Sequence, residues 1–512
     1  MLRYYKISRK KVMQLSLGTV LRGKDLEEFL LNCIGEKKNA VIEHLSLYDS
    51  NDLFPQWIEF IRQIDELINL LFDLSEEDLF LLADCKIDTF DNHEQVANVF
   101  RMLQAKYGEH VAARVKRLVA MYAALKLEFC VFGIHGLWYR TIFDIIGFCQ
   151  SRRLYYMAYL SLIRLYAKGE KKIEATELLS HFQEQIETNM TPITTGLHGI
   201  MGSRCLDGYQ AVARPIGLQF NMHYQQLEGF FLEAHTMSEL DILEYSRSLS
   251  ERYSSSGVVK KLYSYAELEN AVKQAECLFG EYGIVNSTEL LEIKQIVSEL
   301  KAMFVEEYSL VLDEGEYKKL AEHCPHLQLC STAKDYYDTI NERPAFYPFA
   351  DNYYSTVFMM IRYVENTLYG LLKKKRRYRI KAGFMFEKKV EALLKKYRFE
   401  VTDVKRIHMQ EFDVICKKGN TIFNFQCKNN YLDINNLSPV NMDKVCKQNK
   451  RLTNYYIKAL EKENHRTRLL VEKFKTDNIE NYVVVRYPVM MDHSRVICYN
   501  NLEDWLESKM DR

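Results

Sequence analysis

Eight prolines in 512 residues leave long runs of this chain without a residue that breaks a helix. Glycine is sparse as well, with 21 in the whole sequence, against usual shares of about 5% proline and 7% glycine. The expectation is a helix-rich, multidomain chain. Apolar side chains at Ile58, Ile61, Ile64, Ile68 and Leu71, and at Val111, Val115, Leu118, Tyr122 and Leu125, repeat at helical spacing. Residues 140–167 read as a long helix rich in tyrosine, including Tyr155, Tyr156, Tyr159 and Tyr166. Such stripes read as helix–helix contacts. Residues 1–185 are therefore taken as one helical region, with no convincing fixed repeat.

Residues 186–350 are taken as a second helical region interrupted by a glycine-rich loop. Gly196, Gly199, Gly202, Gly208 and Gly217 fall close together beside Thr191, Thr194 and Thr195. No Gly-Lys-Ser/Thr follows, so the segment is not a P-loop, and it reads as an ordered surface loop, with a ligand-sensing or partner-binding loop as the alternative. Helices are expected over Ala266–Tyr282 and Ser287–Leu312, with a turn at Ser254–Gly257. Pro325, Pro344 and Pro348 place a linker near residues 313–350. Residues 351–382 read as a connecting helix, Asn352–Leu372, running into the basic stretch Lys373–Lys381. That stretch reads as a solvated helix end, a nuclear signal or a phosphate-binding arm.

Several classes are excluded. A membrane span needs about 20 apolar residues, and the best candidate, Phe129–Tyr139, is short and bounded by Glu128 and Arg140. No membrane partner is expected, and the N-terminal residues lack the apolar core of a secretory signal. Twelve cysteines are scattered without a Cys-x-x-Cys pair, which points to a reducing, cytoplasmic location rather than to a disulfide scaffold.

The zero net charge hides an asymmetry. From Lys373 onward there are 31 Lys and Arg against 18 Asp and Glu, whereas the preceding residues hold 38 against 51. A basic segment after an acidic one points to a phosphate-bearing partner, or to mutual attraction of the two halves.

Residues 383–512 carry the chemistry. Helix Phe384–Tyr397 presents Phe386, Val390, Leu393, Leu394 and Tyr397 on one face, with Glu387 at its edge. Three strands are expected at Phe399–Lys405, Glu411–Cys416 and Thr421–Lys428. Helix Lys444–Glu461, strands Tyr482–Val489 and Arg495–Tyr499, and a short helix Leu502–Lys509 follow. The core order is αβββαβ. With Gly419-Asn420 as a two-residue hairpin turn, Asp413 falls opposite Gln426. A four-residue loop would shift the register by two and keep the faces. Alternation then puts Phe412, Val414, Cys416, Phe423, Phe425 and Cys427 on an apolar face, and Asp413, Gln426 and Lys428 on the other.

Glu387, then Glu411-Phe-Asp413-Val-Ile, then Phe425-Gln426-Cys-Lys428-Asn429, resembles the PD-(D/E)XK nuclease superfamily, closest to its Mrr-like restriction endonuclease branch with a Gln-x-Lys motif. The resemblance covers about a quarter of the chain. The proline of the family name is replaced by Phe412. It implies a C-terminal α/β restriction-endonuclease-like domain and a metal-dependent endonuclease. Asp413, Gln426 and Glu387 would hold Mg²⁺ or Mn²⁺, and Lys428 would act on the attacking water or the developing anion. The helix after the hairpin would line a nucleic-acid groove through Lys444, Lys447, Gln448 and Arg451. DNA is preferred to RNA as substrate, defence against foreign DNA is the implied setting, and a homodimer is the arrangement that cuts both strands. The alternatives are an inactive nucleic-acid-binding module and a helical protein-interaction scaffold.

Overall fold

The structure is a computed structural model. It describes residues 4–5, 15–69, 75–84, 93–109, 111–113, 115–117, 119–120, 142–174, 177–178, 185–215, 217–222, 265, 268–269, 271–273, 276, 286–305, 309–432 and 437–509. About 61% is helical, with a helical N-terminal region and a C-terminal region with sheets. The expected turn at Ser254–Gly257, the stretch Phe129–Tyr139 and most of the expected helix Ala266–Tyr282 lie outside the described residues.

In chain order come β1 (Tyr4–Tyr5), β2 (Val20–Arg22), α1 (Gly23–Leu45), α2 (Ser50–Asn69), α3 (Glu76–Asp84), α4 (His93–Tyr107) and α5 (Ile142–Tyr166). Then follow α6 (Thr191–Cys205), β3 (Gln210–Arg214), β4 (Gly217–Phe220), α7 (Thr288–Leu300), β5 (Phe304–Val305), β6 (Ser309–Asp313) and α8 (Glu314–His323). Next are α9 (Tyr336–Asn341), β7 (Tyr347–Phe349), β8 (Asn352–Thr356), α10 (Val357–Lys373) and α11 (Arg376–Lys396). Strands β9 (Glu400–Val401), β10 (Arg406–Ile407), β11 (Gln410–Glu411), β12 (Val414–Lys418) and β13 (Thr421–Lys428) lead to α12 (Met442–Phe474), β14 (Ile479–Val485), β15 (Val496–Cys498) and α13 (Leu502–Ser508). The chain divides into two compact units: residues 36–191 with 235–370, and residues 1–35 with 192–234 and 371–512.

In the first of these units Ile61, Ile64 and Val115 of the expected stripes are core, Ile58 and Val111 are half-buried, and Leu71, Tyr122 and Leu125 lie outside the described residues. Ile61 and Ile64 of α2 are buried with Tyr155, Tyr156 and Tyr159 of α5. Trp57 Nε1 donates to the Tyr156 carbonyl at 2.9 Å, so the buried indole keeps a partner. The linker expected at 313–350 is instead folded. Asp313 and Glu316 form a capping box that starts α8. Tyr317 stacks on Tyr353 with centroids 3.7 Å apart. The prolines sit where the ladder has no use for an N–H: Pro325 and Pro344 in connections, and Pro348 in β7, an edge strand of the antiparallel sheet ordered β5-β6-β8-β7. The expected helix Ser287–Leu312 ends at Leu300. Beyond it Leu310 and Leu312 are buried while Val311 and Asp313 face out, a period of two that makes a strand. Likewise residues 352–356, expected to be helical, form β8.

In the other unit the glycine-rich segment corrects the expectation of a surface loop. It is helix α6 with Gly196, Gly199 and Gly202 buried, followed by the β3–β4 hairpin. Its glycines serve close packing. A Cβ at Gly202 would stand 2.6 Å from the Tyr209 ring, and one at Gly199 would stand 2.9 Å from Leu30 Cδ1. Strands β3 and β4 belong to a sheet ordered β1-β4-β3-β2.

The second sheet of this unit is ordered β15-β14-β13-β12-β9. Strands β12 and β13 pair antiparallel from Lys418↔Thr421 to Val414↔Phe425. Strands β13, β14 and β15 run parallel. One face is apolar: Val414, Cys416, Phe423, Phe425, Tyr482 and Val484 pack under Phe386, Val390 and Leu394 of α11 and Leu502 and Leu506 of α13.

Phe412 was expected on that face and is not there. It packs with Ile407, Ile415, Ile422 and Leu470 of α12. The ladder breaks before it: Glu411 pairs with Arg406, and Phe412 N donates to Lys405 O at 3.0 Å. Residues 410–412 thus belong to the small β10–β11 hairpin, and alternation does not carry across the bend to Val414. The strand expected at 411–416 therefore begins at Val414 and runs to Lys418, and the one expected at 399–405 is limited to Glu400–Val401. Both helices outrun their expected limits, α11 starting at Arg376 within the basic stretch and α12 reaching Phe474.

Candidate active site

The site lies where β12 and β13 part. Pairing stops at Val414↔Phe425, so the N–H of Cys427 has no strand partner on that side. Asp413 takes its place: Oδ2 accepts from Cys427 N at 2.8 Å and from Gln426 Nε2. On its other edge β13 stays in register with β14 through Lys428↔Val485, and Arg486 N donates to Lys428 O at 2.9 Å. The sheet therefore holds Gln426, Cys427 and Lys428 rigid from one side and Asp413 from the other.

Helix α11 covers this point with Glu387 and, one turn on, Glu391. Burial lifts the Glu387 carboxyl from its ordinary value to about 7, and the Asp413 charge adds to the rise, while Lys405 and Lys428 oppose it. The Asp413 carboxyl is also raised, chiefly by burial, against the pull of Lys428, the Cys427 N–H, Gln426 and Lys405. Two half-buried carboxylates thus repel each other across a gap flanked by two ammonium groups. The structure brings Glu387, Asp413, Gln426 and Lys428 within electrostatic or hydrogen-bonding reach of one another.

Three neighbours escaped the sequence reading. Lys405 Nζ donates to the Asp413 carbonyl and to Glu391 Oε1, each at 2.5 Å, pinning both strand and helix. Glu391 was recoverable as the residue four after Glu387. Lys405 was not, because it follows the β9 ladder and no pattern fixes its direction. Tyr455 of α12 stands 5.7 Å from Lys428 Nζ, measured to the ring centroid. Lys444, Gln448, Arg451 and Tyr455 share one stripe of α12 at helical spacing. Lys444, Lys447 and Arg451 are exposed and Gln448 is half-buried. At Tyr455 the stripe reaches Lys428.

The donor set fits a hard divalent cation. Among the described residues no group of three or more His, Cys, Asp or Glu side chains is placed to hold a metal. Two carboxylates and an amide are nonetheless what Mg²⁺ uses when it keeps most of its waters. A cation between Asp413 and Glu387 would relieve the repulsion that adds to the rise of the Glu387 carboxyl. Comparison of the chain with protein-family models, with curated proteins and with solved structures finds no match. No helix among the described residues is long and apolar enough to cross a membrane.

Proposed function

We propose that the chain is a metal-dependent phosphodiesterase of the PD-(D/E)XK type, its α11–β9–β12–β13–α12–β14 order being read as a restriction-endonuclease-like domain. More narrowly, it is proposed to be an endonuclease acting on DNA in preference to RNA, in a restriction or anti-phage setting. A second copy would serve the second strand of the duplex. The observation that carries this reading is the meeting of Glu387, Asp413, Gln426 and Lys428 at the parting of β12 and β13. Mg²⁺ or Mn²⁺, held by Asp413 and Glu387 with the Gln426 amide, would supply Lewis-acid activation of phosphate and water. Lys428 orients the attacking water and offsets the charge that develops on phosphorus-bound oxygen. Asp413 is itself oriented by the Cys427 N–H and by Lys405. Lys444, Lys447 and Arg451 contact phosphates without reading sequence.

The full chain incubated with plasmid, linear and single-stranded DNA and with RNA, with and without Mg²⁺ or Mn²⁺, tests this reading. Metal-dependent nicking is expected. Salt-sensitive binding without cleavage would leave a nucleic-acid-binding module, and no binding would leave a scaffold.

The start of α11 gives a second handle. Arg376, Arg377 and Arg379 are exposed in the first turns, with no acidic residue in the first turn. Positive charge opposes the helix dipole there, at a few tenths of a kcal/mol or more per residue. A phosphate partner would offset that cost. The double change Arg376→Gln, Arg377→Gln is expected to raise the melting temperature slightly. It should also flatten the log affinity against log salt slope by about two. Calorimetry and a salt titration of DNA binding check both signs.

A further inference from the structure

Cys205 ends α6 and Cys446 is the fifth residue of α12. Their thiols are in hydrogen-bonding contact, and both residues are partly exposed. The pair is held by the residues around it. Arg204 Nη1 meets Asp443 Oδ1 at 2.5 Å, and Arg204 Nη2 meets Glu27 Oε2 at 2.9 Å. Asn449, one turn beyond Cys446 and bonded to the Cys205 side chain, is fixed by Met490, which exchanges two hydrogen bonds with it at 2.8 Å each. Two thiols are thus brought together by an ion pair on one side and a buried amide on the other.

We propose that Cys205 and Cys446 are an oxidation site that closes to a reversible disulfide, stapling the end of α6 to the start of α12. The Arg204 guanidinium beside the pair favours a thiolate there. One sulfur of the pair attacks, and the oxidant is a hydroperoxide. The thiolate displaces hydroxide from the peroxide O–O bond and becomes a sulfenic acid. The other sulfur then attacks that sulfur, the S–O bond breaks, and water leaves. Two thiols lose two electrons and two protons, and hydrogen peroxide becomes two waters. The cysteines of the five-stranded sheet are placed differently: burial raises the thiols of Cys416, Cys427 and Cys498.

The staple would fix the first two turns of α12, which also carry Lys444 and Lys447. This inference does not depend on nuclease activity. The full chain is treated with hydrogen peroxide and mapped by mass spectrometry without reduction. A cross-linked peptide pair containing Cys205 and Cys446, lighter by two hydrogens and released by dithiothreitol, is expected. At least one of the variants Cys205→Ser and Cys446→Ser should leave a sulfenic acid on its remaining cysteine that a dimedone probe labels, which identifies the attacking sulfur. If the two cysteines stay reduced, or either joins a different cysteine first, the proposal fails.

Discussion

Lys428→Met is expected to slow phosphodiester cleavage by roughly 10²–10³, the size of about 2.7–4 kcal/mol for one electrostatic group. The fold should lose about 1 kcal/mol or less. The side chain lies partly exposed on the face away from the aromatic core, with its ammonium over Tyr455, so the change opens no cavity. It does remove one of the two ammonium groups that offset the Glu387 and Asp413 charges. Asp413 needs a more careful substitution. Its carboxylate closes the Cys427 N–H left over where the strands part. Asp413→Ala would orphan that donor at about 1–3 kcal/mol. Asp413→Asn keeps an acceptor there and removes only the charge, so it should abolish cleavage in a folded chain. Plasmid nicking in Mg²⁺ beside a denaturant melt checks both, and full activity of Lys428→Met would remove this hairpin as the catalytic centre.

What the sequence showed of the site depended on how local the signal was. The β12–β13 register followed from one dipeptide turn, because Gly419 takes a φ of +57° and the two-residue loop fixes every pair behind it. Glu387 was legible because a helical stripe of Phe386, Val390 and Leu394 sets which edge it occupies. Phe412 was misplaced because alternation assumes an unbroken strand, and the bend at residues 412–413 is set by the β10–β11 hairpin. The same bend turns the Asp413 carboxylate onto the Cys427 N–H, so the feature that spoiled the pattern also builds the site.

Elsewhere the misreadings share a cause. Glycines in α6 looked like a loop because their role is contact with Leu30, Tyr209 and Phe220, residues outside the helix that no helical spacing points to. The prolines at 325, 344 and 348 looked like a linker because proline marks both connections and edge strands. Only pairing of β7 with β8 separates the two. The inclusion of residues 1–35 and 192–234 with 371–512 in one compact unit rests on such long-range contacts.

Glu387→Gln is expected to stabilise the chain at pH 8 while inactivating it. Burial and Asp413 raise the folded-state carboxyl from 4.5 to about 7. A raised carboxyl favours the folded state only while protonated. The benefit is full below the unfolded value near 4.5, and it fades as pH rises to about 7. Above 7 the fold carries the whole penalty of a half-buried anion facing Asp413. Glutamine removes that penalty, worth about 1–2 kcal/mol once solvent screening is allowed for. The gain should therefore be present at pH 8 and nearly absent at pH 4.5. A divalent cation acts on the same charge. Mg²⁺ or Mn²⁺ should raise the wild-type melting temperature more at pH 8 than at pH 5.5, because below 7 a proton competes for the carboxylate. In Glu387→Gln the metal response should be small at both pH values. Melting curves measure this without any substrate, so they separate cation binding from cleavage. If Glu387→Gln melts below the wild type at pH 8, Glu387 is a structural carboxylate held by its neighbours, not a strained one waiting for a cation.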